Sequence, residues 1–255
     1  MSIPQFHTVV QLNNYASDYI IIGNYEKAIK DLATALKVSK QIMSSQAGSS
    51  PEALRSSSMT LDGCMRQGRL SGSCSTTTSE DEGESDCFNI YQCPIHVKPT
   101  DDAIMEKSCC NEDDTEFNVV SSAILFNLAL AHHLSAKKAK RQQRRASLTR
   151  LEKAARLYEL ASHLEQKRFT NGTNPLFMMA IVNNLGAIHH ELNERENAQL
   201  FFQHLLSTML FITEYSNGEE KEKVVSEDVN EIFFNNVMHL IFQGGGKNYC
   251  TAAAA

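Results

Sequence analysis

The sequence predicts an all-α chain, and three observations carry that expectation. Apolar residues recur at helical spacing from residue 8 to 43 and again from about 117 to 243. Helix breakers are few within those stretches. One arrangement of small and large residues returns three times along the helical stretches. With 42% hydrophobic residues in a length of 255, the chain has ample apolar mass for a core.

The elements follow in order. Residues 1–43 read as a first helix pair, with Gly23-Asn24 at its turn. From 44 to 116 the texture changes: fifteen Ser or Thr occupy the 36 positions Ser44–Ser79, and Glu80–Asp86 adds five carboxylates. Such a segment cannot bury enough apolar surface to offset its ordering entropy, so it is predicted to be largely disordered. One island interrupts it, Phe88-Asn89-Ile90-Tyr91-Gln92-Cys93-Pro94-Ile95-His96-Val97. Its aromatic and β-branched residues, with Pro94 forcing extended geometry on Cys93, predict a short extended piece that docks on something. Helical texture fills 117–243, broken by a basic stretch at Lys137–Arg150, a turn at Thr170–Pro175 and a polar loop at Ser216–Glu222. The last helix is expected at roughly Val224–Phe242; Gly244-Gly245-Gly246 ends it, and 244–255 reads as a flexible tail.

The recurring arrangement is specific. Val182-x2-Leu185-Gly186-x2-His189 is followed by Ala198-x3-Phe202. Leu12-x2-Tyr15-Ala16-x2-Tyr19 is followed by Ala28-x3-Leu32, and Leu125-x2-Leu128-Ala129-x2-His132 by Ala154-x3-Tyr158. The separation from Tyr19 to Ala28 and from His189 to Ala198 is 9, whereas His132 and Ala154 stand 22 apart. Thirteen extra residues therefore fall between the helices of the middle copy, where the basic stretch lies. The pattern resembles the tetratricopeptide repeat (TPR) family, whose signature is large-x2-Leu-Gly-x2-Tyr and then Ala-x3-Phe. The resemblance implies antiparallel helix pairs that approach closely at Ala16, Ala129 and Gly186. It also implies an α-solenoid of about three such pairs with a C-terminal capping helix, because one pair cannot bury its apolar face alone.

In that family the first helix of each pair lines a concave groove that holds peptides, and some members clamp a terminal carboxylate with basic residues. The corresponding positions here, Asn13 and Ser17, Phe126 and Leu130, Asn183 and Ala187, carry no basic residue. A carboxylate clamp is therefore not expected. Asparagine instead recurs just before the small residue: Asn13-Asn14, Asn127, Asn183-Asn184 and, in the expected cap, Asn235-Asn236. An amide side chain offers both a donor and an acceptor, the complement of a peptide backbone. The candidate groove residues are Asn13, Asn14, Asn127, Asn183, Asn184 and Asn236. An asparagine ladder that holds an extended chain occurs in TPR proteins similar to kinesin light chain. The island at 88–97, tethered between the first two repeats, is expected to reach the same groove as an intramolecular ligand or as a permanent cover.

Other features narrow the function. A net charge of −6 argues against a general nucleic-acid or anionic-membrane binder. The longest uninterrupted apolar run, Leu176–Val182, is far too short to span a bilayer, and no secretory signal is evident. Seven cysteines, six of them in the polar insertion, suit reduced thiols, so a cytoplasmic location is expected, with the nucleus as the alternative. His132-His133 and His189-His190 invite a metal reading, but the first of each stands where the family packs a Tyr, so core or groove histidines are expected and no metal. The basic stretch, seven Lys or Arg in fourteen residues, reads first as a solvated helical extension and supports a runner-up function: a nuclear or RNA-associated adaptor. It lacks the interleaved aromatics of a stacking platform, so nucleic-acid binding is not the leading expectation. Ser147 follows Arg144-Arg145 and Ser79 precedes Glu80-Asp81-Glu82, each a candidate phosphorylation site. No catalytic motif or cofactor fingerprint is found; the expected role is a non-enzymatic scaffold for a protein or peptide partner.

Overall fold

A computed structural model describes residues 3–46, 59–60, 88–99, 113–139, 144–167, 175–215 and 231–238. These residues form α1 (Ile3–Ile21), α2 (Tyr25–Gln46), α3 (Asp113–Lys138), α4 (Arg144–Lys167), α5 (Pro175–Glu191) and α6 (Arg195–Tyr215). A further helix, α7, covers 231–238. Two-residue strands β1 (Met59–Thr60) and β2 (Lys98–Pro99) pair antiparallel. The all-α expectation holds for the described residues. The helices start and stop a few residues from the expected places: α2 runs to Gln46 rather than residue 43, and α3 begins at Asp113 rather than near 117. The expected disorder of 44–116 and the tail at 244–255 fall mostly or wholly outside the described residues.

The chain forms two compact units. Unit one comprises Met1–Gln67 and Gln92–Asn174; unit two comprises Gly68–Tyr91 and Pro175–Ala255. The first two expected repeats thus lie in unit one, and the third lies in unit two with α7.

In unit one α1 packs on α2, α3 packs on α4, and α3 also contacts both α1 and α2. Small residues sit at these contacts: Ala16, Ala28, Ala129 and Ala154 are fully buried. Larger rings fill the space beside them, with Phe126 edge-on to Tyr158 at 5.4 Å. α3 is buried along every position from Val119 to Ala136, which is why its 118–138 portion has the length and apolarity of a membrane span. A helix enclosed by protein meets that composition for the same reason as one enclosed by lipid. The thirteen extra residues do not form a long turn. α3 continues to Lys138 and α4 is already helical at Arg144, so most of the extra length extends the two helices.

The α1–α2 turn and its counterpart in unit two share one design. Gly23, at φ 75°, donates to the Ile20 carbonyl, and Asn24 donates to Tyr19. In unit two Asn193, at φ 64°, donates to His190, and Glu194 donates to His189. Both are helix ends closed by a left-handed residue, for which glycine and asparagine are the usual choices. The next helix starts at once, Ala28 bonding Asn24 and Ala198 bonding Glu194.

Unit two packs α5 on α6. Pro175 opens α5, where a missing N–H leaves nothing unsatisfied. The tightest approach is at Gly186: a methyl group there would stand 2.7 Å from the Phe202 ring. Gly186→Ala is therefore expected to lower unfolding stability by about 1–3 kcal/mol, because a packed ring must move. Urea unfolding followed by circular dichroism checks it; an unchanged midpoint would contradict this packing.

Candidate functional site

Asparagines on α1, α3, α5 and α7 meet the extended segment at 88–97, and each unit holds its own part of that segment. In unit one, Asn14 on α1 accepts from the Val97 N–H at 2.9 Å and donates to the Val97 carbonyl at 2.9 Å. Asn127 on α3 treats Ile95 in the same way, accepting from its N–H and donating to its carbonyl, both at 2.8 Å. Asn13 adds a second donor to the Ile95 carbonyl at 2.9 Å and accepts from Asn127 at 3.0 Å. Ser17, one helical turn on, lies 3.1 Å from the same carbonyl and accepts from Asn127.

Unit two repeats the network with different residues. Asn184 on α5 accepts from the Tyr91 N–H at 2.8 Å and donates to the Tyr91 carbonyl at 3.0 Å. Asn236 on α7 brackets Asn89, accepting at 2.8 Å and donating at 2.7 Å. Asn183 adds a donor to the Asn89 carbonyl at 3.0 Å and accepts from Asn236 at 2.7 Å. Asn183 thus does what Asn13 does, Asn184 what Asn14 does, and Asn236 what Asn127 does. In each unit two alternate residues present both backbone groups to asparagines, the period of an extended chain.

The side chains of the segment are buried where they meet helices. Phe88, Ile90, Tyr91, Ile95 and Val97 are each at most 4% exposed. In unit two Phe88 stacks on Phe202 at 4.4 Å and meets the edge of His190 at 4.6 Å, while Tyr91 stacks on Phe233 at 5.9 Å. In unit one His96 lies 3.0 Å from Asp18. Neither Phe233 nor the Asp18–His96 pair stands out in the sequence as part of a site. Phe202 and His190 are legible there only as packing positions.

The remaining candidates lie elsewhere. Ser147 is half-buried on α4 and its hydroxyl donates to the Ala136 carbonyl at 3.0 Å; Ser79 lies outside the described residues. Two basic-stretch side chains are tied to the α1–α2 region, Lys138 to the Gly23 carbonyl at 3.4 Å and Arg150 to Glu26 at 3.3 Å. Among the described residues no group of three metal-capable side chains is found. His189 has its Nδ1 2.6 Å from Glu194, and that contact chiefly holds the Glu194 carboxyl below the usual range. His132 has no partner on either ring nitrogen, and burial, aided by Lys153 and Arg150, lowers its pKa to about 4.

No family model, curated protein or solved structure matches the chain.

Asn127→Ala leaves the buried Ile95 N–H without its partner and should lower stability by about 1–3 kcal/mol. Hydrogen exchange is the sharper check: the Ile95 amide, protected in the parent, should exchange faster in the variant, while Tyr91 keeps its protection. His132 is neutral when folded but gains a proton when unfolded below pH 6.5, so stability should fall from pH 6.5 down to about 4. The slope contributed is at most about 1.4 kcal/mol per pH unit, and His132→Leu should remove it from urea midpoints measured across that range.

Proposed function

We propose that the protein is a non-enzymatic interaction module that holds an extended segment of a partner protein, with its own residues 88–97 acting as a resident competitor. The observation that carries this reading is the bracketing of single residues by asparagines: Asn14 on Val97, Asn127 on Ile95, Asn184 on Tyr91 and Asn236 on Asn89. Such contacts address only the backbone, so they suit any extended chain.

The helix pairs are TPR-like repeats of a solenoid in this proposal, and the packing of α1 on α2, α2 on α3 and α3 on α4 in unit one supports two repeats in series. The phasing of Ala16, Ala129 and Gly186 against the asparagines supports the same plan. A cytoplasmic or nuclear setting fits the odd number of cysteines, seven, and their crowding in a polar segment. The RNA-associated alternative gains nothing from Lys138 and Arg150, whose side chains are engaged within unit one.

The test replaces residues 88–97 with a Gly/Ser linker of equal length. The protein is expected to keep its helical circular dichroism and to capture more partner from source cells, as read by quantitative mass spectrometry. Asn127→Ala/Asn184→Ala should capture less. Loss of helicity on replacement would instead make the segment a permanent part of the core.

A further inference from the structure

We infer that unit two selects its partner by side chains as well as by backbone, taking a four-residue pattern of aromatic, any residue, aliphatic, aromatic. This selectivity rests on the peptide-binding reading and adds a specificity to it. The resident Phe88-Asn89-Ile90-Tyr91 is the template. The first position enters a seat made by Phe202 and His190, both in ring contact with Phe88. The second position contributes only its backbone: Asn89 is exposed while Asn236 and Asn183 hold its N–H and carbonyl. The third and fourth positions are buried, Ile90 at 3% and Tyr91 at 1% exposure, with Tyr91 stacked on Phe233.

Two features distinguish this seat from a plain apolar patch. The asparagines fix the register, because Asn236 and Asn184 bracket residues two apart and so set which residue of the segment lies at each helix. They also fix the direction: α5 holds residue 91 and α7 holds residue 89, so the segment runs against the order of the helices. Gly186 gives Phe202 its place, since any β-carbon there would strike the ring that seats the aromatic residue. Aromatic contacts of this kind supply orientation beyond area burial.

The experiment titrates fluorescein-labelled ten-residue peptides of the 88–97 sequence into the full-length chain carrying Phe88→Ala, which loosens the resident segment. Full-length Tyr91→Ala and the unmodified chain at about millimolar peptide serve as further receptors should the first not fold. The parent peptide is expected to bind. Peptides carrying Phe88→Ala or Tyr91→Ala should bind at least about tenfold more weakly, and Asn89→Ala should bind as the parent does. A reversed sequence should not bind. If the alanine peptides all bind like the parent, while Asn184→Ala in the receptor weakens every one, side-chain selection is wrong and the backbone reading stands. If no peptide binds any receptor, both readings fall.

Discussion

A buried peptide group must be hydrogen-bonded, and an extended segment lying among helices has no neighbouring strand to supply the bonds. The rest of the site depends on how that demand is met. A carboxamide carries an acceptor oxygen and two donor hydrogens, so one asparagine can bracket the N–H and carbonyl of a single residue. Asn14, Asn127, Asn184 and Asn236 do so here, and Asn13 and Asn183 add further donors to the Ile95 and Asn89 carbonyls. Asparagine is a poor helix former, so placing it repeatedly inside helices runs against local preference. Its short stem keeps the amide close to the helix axis, which suits a backbone lying directly on the helix.

The fold and the site share residues in unit two. Gly186 admits the Phe202 ring, and Phe202 stacks on Phe88. A helix-crossing glycine thereby bears on how the segment is seated. In unit one Ala129 and Phe126 lie within a run of buried α3 residues, and Phe126 meets the Tyr158 ring of α4 edge-on. His132 belongs to this interior: with no partner on its ring, it is held neutral by burial rather than positioned for chemistry.

The equivalence of the two networks also bears on α7. Expected as a cap, this helix contributes Asn236 in the role that Asn127 plays from α3, and its Phe233 stacks on Tyr91. It therefore works as a segment-holding helix within unit two.

Local pattern makes the helices, the small residues and the asparagines legible, because each depends on spacing within one helix. The island at 88–97 is legible too, since aromatic and β-branched residues stand out against a Ser-rich background. The basic stretch reads as a solvated helical extension, since its charges suit a helix face in water, and its described parts, up to Lys138 and from Arg144, are helical. Which asparagine meets which residue is a tertiary matter. Asn14 and Val97 are 83 positions apart and Asn236 and Asn89 are 147 apart, and no periodicity reaches across such separations. The sequence by itself determined the helices and the chemistry available on them; the register of the segment was decided by long-range packing, where burial leaves each backbone group in need of a partner at one place.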